Sequence, residues 1–348
     1  MRFSTSLLAA AVTFDVAFAG PTFIRDKQNP LRFLTYNVRY DSKSDKISVN
    51  QTIASLPSGA PIQPNPYYNQ TVERPWSERR IGVSNDVLFP NVDIVGFQEV
   101  LTRQVDDLQE LLGPDWAHIG VGRDDGIKAG EYSAVFYKLS SVELVSWDTF
   151  WLSDTPFEPS KYPGAGSFRA CTTAQFKSSL GRFTLLNAHL DDSSDKQRRL
   201  AASLMLRRAK YEAIKTSRPV FLTGDFNSPP TGQDGGAYQI TTGALGPLPI
   251  NSTFEEKYSW KPKDEKPFGL TDLAVKTQPR YRSGNYATFT GFSAVGDTRN
   301  YKKLDYVFGG STGEAWGVES YHVGSSLYDN GSWNSDHRPV YADIVMEK

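Results

Sequence analysis

Only one cysteine, Cys171, occurs in the 348 residues, so no intrachain disulfide can form and stability must come from a packed core. There is no run of 18 or more apolar residues after the N-terminus, which excludes a helical membrane span. Net charge is also missing: 38 basic against 39 acidic residues give −1, with no overall attraction for a polyanion. Four histidines and one cysteine leave no His/Cys cluster, which argues against a zinc site. No repeat and no low-complexity tract interrupts a globular composition.

The N-terminus reads as an export signal over residues 1–19. Arg2 supplies the positive start, Leu7 to Val16 an apolar stretch broken by Asp15, and Ala17-Phe18-Ala19 a small-x-small cleavage site before Gly20. Sequons at Asn50, Asn69, Asn251 and Asn330 agree with a secreted, extracellular glycoprotein. Cys171, within Ala170 to Phe176, reads as a packed thiol on a strand and not as a nucleophile.

Apolar runs and helical periodicities alternate along the rest of the chain. Strands are predicted at 31–38, 92–97, 117–121, 132–138, 142–150, 170–176, 183–188, 219–223, 304–308, 315–323 and 339–345. Helices are predicted at 78–88, from a cap at Thr102 to Gly113-Pro114, and at 195–215. Two stretches, 41–75 and 232–301, read as irregular, the second with short helices, and the first as a surface excursion near the site mouth. Strands this apolar need both faces covered. The expected fold class is therefore α/β (α+β), a four-layer α/β/β/α sandwich of two packed mixed sheets, built as one domain over residues 20–348.

Polar residues end these strands. They are Asn37 in Thr35-Tyr36-Asn37-Val38, Glu99 in Gln98-Glu99-Val100, and His189 in Asn187-Ala188-His189-Leu190. Asp225 and Asn227 follow in Gly224-Asp225-Phe226-Asn227, then Asp305 in Leu304-Asp305-Tyr306-Val307, and Asp336-His337 in Ser335-Asp336-His337-Arg338-Pro339-Val340. Residues two apart on a strand point the same way, so Asp225 and Asn227 can address one phosphate, and strand ends in layered folds converge on one rim.

This ordered set, from Asn37 to His337, resembles the endonuclease/exonuclease/phosphatase superfamily with its deoxyribonuclease-I-like fold. The Asn-x-His-Leu form is similar to the deadenylase and nocturnin branch. The resemblance implies a secreted, divalent-metal-dependent phosphoesterase. Glu99 would be the central ligand of Mg2+, with Mn2+ as the other option, and Asn37 and Asp336 would lie nearby. His337 would be the general base, oriented by Asp305. Asp225 would position the water, while Asn227 and His189 would donate to phosphate oxygens.

Arg123 and Arg169 are candidate substrate-binding forks at the rim, with surface ion pairing as the competing reading. Trp76 is read as packing the first helix onto the sheet. Arg39 stands where several nucleases of the superfamily carry an acid, which counts against a second, fully carboxylate-built metal site. For what is expected to be a monomer, the leading function is a nuclease-type phosphodiesterase of RNA or single-stranded nucleic acid, exonuclease-like; the alternatives are a phosphatase or phosphodiesterase of sugar, inositol or lipid phosphates, and an inactive binding protein.

Overall fold

The computed structural model describes residues 29–59, 73–294, 296–329 and 331–346. The segment expected to be an export signal, and the sequons at Asn69 and Asn330, lie outside these residues.

Two six-stranded sheets form the centre. In chain order the strands are β1 (Leu31–Asn37), β2 (Ile94–Gln98), β3 (Trp116–Ile119), β4 (Val135–Lys138), β5 (Val142–Trp151), β6 (Ala170–Ser178) and β7 (Gly181–His189). They continue with β8 (Val220–Asp225), β9 (Thr271–Asp272), β10 (Asp305–Gly310), β11 (Trp316–Val323) and β12 (Val340–Met346). One sheet runs β11-β12-β1-β2-β4-β3 and the other β5-β6-β7-β8-β10-β9. Both are mixed: β1 is parallel to β2 and β7 to β8, while their outer neighbours are antiparallel.

The helices are α1 (Val49–Ser55), α2 (Trp76–Leu88), α3 (Thr102–Leu112), α4 (Asp195–Thr216), α5 (Gly236–Thr241), α6 (Ser252–Lys257) and α7 (Leu273–Lys276). Three apolar clusters correspond to the three interfaces of four layers. Phe33, Ile94, Phe176, Phe183, Phe221 and Ile344 fill the space between the sheets. On one outer face Val83, Val87, Val105 and Leu108 of α2 and α3 pack on Leu34, Tyr36, Val95 and Phe97. On the other, Leu204, Met205 and Ala209 of α4 pack against Leu186, Leu222 and Phe308. Alternation within β1 explains this: Phe33 faces the second sheet and Leu34 the helices.

Most predicted elements are present within a few residues. Thr102 does not cap α3: Leu101 holds that position, Gln104 Oε1 accepts from its N–H at 3.1 Å, and the Thr102 hydroxyl donates to Lys128 O at 2.7 Å. Helix α1 lies in the first irregular stretch, where Ser48 and Gln51 form a capping box. The two-residue strand β9 lies in the second, and so short an edge carries no periodicity to read. Cys171 is fully buried, and burial pushes its thiol up to about 12, as a packed residue. Trp76 is buried and donates from Nε1 to Asp107 Oδ2 at 2.9 Å. No helix among the described residues is long and apolar enough to cross a membrane.

Candidate active site

Parallel strands deliver their C-terminal ends and antiparallel strands their N-terminal ends to the same rim. Thus β1 brings Asn37, β2 leads into Glu99, β7 ends on His189 and β8 on Asp225, while β10 starts at Asp305 and Asp336-His337 precede β12. The registers set His189 beside Asp225 and Asp225 opposite Asp305. A buried amide joins the two sheets beneath them. Asn187 Nδ2 donates to Phe97 O and Ala134 O, both at 2.9 Å, and its Oδ1 accepts from Gln98 Nε2 at 2.8 Å and Thr223 Oγ1 at 3.1 Å. Gly96 permits this approach, since a Cβ there would collide with Thr223 Oγ1.

The rim is locally strained. Arg39, Glu99 and Asn227 have φ of 59°, 62° and 46°, conformations that cost about 1–3 kcal/mol each for non-glycine residues. Two of them follow the same local device: Asn37 Oδ1 accepts the Arg39 N–H at 3.0 Å, and Asp225 Oδ1 the Asn227 N–H at 2.9 Å. These turns end the strands abruptly and aim the side chains at the rim.

Asn37 Nδ2 donates to Glu99 Oε1 at 2.8 Å and Asp225 Oδ2 at 2.9 Å. This network sets the amide orientation, because the flipped amide would face two carboxylates with its oxygen. Asn37 therefore orients both acids through its nitrogen. Glu99 Oε2 accepts from the Tyr40 N–H at 3.1 Å. Arg79 sends all five N–H groups to the backbone carbonyls of Val38, Arg39, Tyr40, Arg74 and Asn334, tying the Asn37 and Asp336 loops together. The double arginine behind Trp76 was the only sequence trace of that clamp.

His337 Nδ1 is 2.9 Å from Asp305 Oδ2, and its Nε2 is 3.6 Å from Asp225 Oδ2. Burial alone would push this imidazole down, but Asp305, Asp225 and Asp336 outweigh it and hold it well above its ordinary range. Burial, then the charge of Asp305, pushes the Asp225 carboxyl up. Burial also raises Asp336. His189 behaves oppositely: burial and the nearby Arg169 charge bring it down to about 3, so it is neutral at physiological pH.

Arg123 and Arg169 do not reach into open space. Arg123 forms a fork with Glu131 at 2.7 and 2.9 Å. Arg169, 5% exposed, contacts His189 Nδ1 and Asp192 Oδ1, both at 2.9 Å. Both guanidiniums are thus paired with acids at the rim, the ion-pairing arrangement that competed with substrate binding. Arg123, Glu131, Arg169 and His189 line one small cleft, and Glu131 enters it through its fork with Arg123.

Carboxylates dominate the donor set. Glu99, Asp225, Asp305 and Asp336 converge against the imidazole of His337 and Arg39, whose Nη1 lies 3.8 Å from Glu99 Oε2. Ligand atoms of Glu99, His189 and Asp225 lie within 4.8 Å of one another, as do those of Asp225, Asp305 and His337. An oxygen-rich, negatively charged cluster fits a hard divalent cation.

The fold recurs in solved structures. An endonuclease/exonuclease/phosphatase protein of Bacteroides vulgatus is 27% identical, with TM-score 0.66 over 92% of this chain and all of that one. A mannosyl-6-phosphatase of Bacteroides thetaiotaomicron is 26% identical, with TM-score 0.65 over 90% of this chain and 99% of that one. The catalytic domain of human nocturnin, with bound sulfate, shares the fold at 15% identity and TM-score 0.58, over 92% and 96%. No curated protein matches the chain. The Endonuclease/Exonuclease/phosphatase family profile matches residues 34–337, from the first strand to His337. The chain thus belongs to the endonuclease/exonuclease/phosphatase family, and its chemistry is that of a phosphoester hydrolase.

Proposed function

We propose that this protein is a secreted, monomeric, Mg2+-dependent phosphoesterase acting on small, hydroxyl-rich phosphate esters such as sugar phosphates. The observation that carries the chemistry is the meeting of Glu99, His189, Asp225, Asp305 and His337 at one rim. Glu99 and Asp336 would hold the cation, with Asn37 fixing the Glu99 carboxylate. When bound, Mg2+ supplies the charge that neutralises phosphoryl oxygens and acidifies water.

The chain's own groups do the rest. Asp225, buried and next to the His337 Nε2, orients the attacking water. His337 takes its proton, and Asp305 steadies the imidazolium on the other side. His189 and Asn227 donate to a phosphoryl oxygen as charge builds there.

Charge favours the small substrate. Arg39 is paired with Glu73 at 3.3 Å, Arg103 with Asp41 at 2.9 Å, Arg123 with Glu131 at 2.7 Å and Arg169 with Asp192 at 2.9 Å. Cations already matched by acids make a poor track for a nucleic-acid backbone. The likeness to a mannosyl-6-phosphatase supports the same choice. Nuclease action is the second arm of the test. Purified protein with Mg2+ is expected to release inorganic phosphate from hexose 6-phosphates; shortening of single-stranded RNA without phosphate release would replace this reading. Export is tested by sequencing the secreted product, expected to begin at Gly20.

A further inference from the structure

His189 sits between two donors and two acceptors. Its Nδ1 is 2.9 Å from Arg169 Nη1 and 3.6 Å from Glu131 Oε2. Its Nε2 is 3.2 Å from Asn227 Nδ2 and 3.5 Å from Asp225 Oδ2. A neutral imidazole has one N–H and one lone pair, so it can accept from only one of the two donors. Each tautomer therefore satisfies one side and leaves the other with two facing N–H groups.

We infer that Arg169 is a positioning residue that holds His189 with its proton on Nε2, making it a donor to the phosphoryl group and barring it from ligating a metal. The choice follows from chemistry. Arginine has no acceptor and keeps its charge, so Nδ1 must present its lone pair to it, and a charge-assisted bond is roughly twice as strong as a neutral one. Asn227 Nδ2 loses little by this, because its other hydrogen goes to Leu190 O at 3.1 Å.

The consequence lies on the far side of the ring. Nε2–H then faces the second Asn227 N–H across an Nε2–Nδ2 distance of 3.2 Å, two donors with no acceptor between them, and an anionic oxygen that draws both hydrogens to itself relieves that opposition. With the proton on Nδ1, Glu131 would accept it, and the bare Nε2 would join Glu99 and Asp225 as a nitrogen ligand. Imidazole plus carboxylates suits zinc better than Mg2+. Arg169 thus decides between a phosphate donor and a metal ligand.

Arg169 is itself held rigidly. It is 95% buried by its 5% exposure, and Nη2 is anchored on Asp192. Asp191 accepts backbone N–H groups from Gly166 and Ser167 before it, and from Ser193 and Ser194 beyond His189, so both segments share one post. The donor role rests on the phosphoesterase reading; the position of the proton does not.

The test is a long-range proton–nitrogen NMR spectrum of the 15N-histidine-labelled protein without substrate, with His189 identified by its loss in His189→Gln. Wild type is expected to show a protonated Nε2 and an unprotonated Nδ1. Arg169→Met is expected to shift the proton to Nδ1, to lower kcat on the order of 10²-fold with little change in KM, and to bind Zn2+ at least about 10-fold tighter by calorimetry. Arg169→Lys, also donor-only, is expected to restore the Nε2–H form. A wild-type proton on Nδ1 would overturn the inference without any variant having to fold. So would Arg169→Met with an unchanged tautomer, kcat and Zn2+ affinity. A substrate panel that favours RNA leaves the spectrum unaffected, so the two proposals can fail separately.

Discussion

Asp305 stands directly opposite Asp225 across the antiparallel pair of β10 and β8, and His337 reaches both, 2.9 Å from the first and 3.6 Å from the second. Like charges facing each other across a sheet are destabilising on their own. An imidazolium between them offsets the repulsion, which is why His337 is held above its ordinary range.

The pH–rate profile should reflect that arrangement. His337 works as a base only when deprotonated, so activity is expected to fall as pH drops through its raised value, placing the acid limb above the ordinary imidazole range. Asp305→Asn removes the nearest charge that raises it. The limb in kcat/KM is expected to move to lower pH, with turnover reduced on the order of 10²-fold. An unmoved limb with normal turnover would show that the pair does no catalytic work.

Stability should depend on pH through His189. Its native value, about 3, lies below that of an unfolded histidine, so the unfolded state binds the extra proton as pH falls. The His189 contribution is complete above about pH 6.5 and is lost progressively from there down to about 3. Urea midpoints measured across that window are expected to fall less steeply in His189→Gln than in wild type. Equal slopes would mean that the ring is not buried in its neutral form.

The amide link between the sheets gives a third expectation. Asn187→Ala leaves Gln98, Thr223 and two carbonyls without their shared partner, at a cost of about 2–4 kcal/mol. Gly96→Ala drives a methyl into the same contact and is expected to cost about 1–3 kcal/mol. Chemical denaturation of either variant with a wild-type midpoint would remove the link from the account.

Much of this was legible in the chain. Runs such as Phe33-Leu34 and Phe221-Leu222 must be covered on both faces, and that requirement alone yields two sheets with helices outside. Strand-end polar residues marked the rim because the parallel and antiparallel strands alternate in which end they deliver there. Side-chain partners were not legible. Arg169 has the residue type for phosphate, yet its guanidinium is spent on His189 and Asp192, residues 20 and 23 positions further along the chain. Asn37 likewise carries an oxygen suited to a cation, and that oxygen also accepts the Arg39 N–H while the nitrogen turns toward the acids, partners that its place at a strand end did not reveal.

The most direct measurement is phosphate release from a hexose 6-phosphate by wild type and Glu99→Ala, with Mg2+ and with EDTA, beside calorimetric Mg2+ binding to both. Wild type is expected to bind Mg2+ and turn over, to stop in EDTA, and to recover when Mg2+ returns, while Glu99→Ala loses Mg2+ binding and at least about 10²-fold in turnover. Full turnover by Glu99→Ala, or wild-type turnover unaffected by EDTA, would contradict a metal-assisted site built on the strand-end acids.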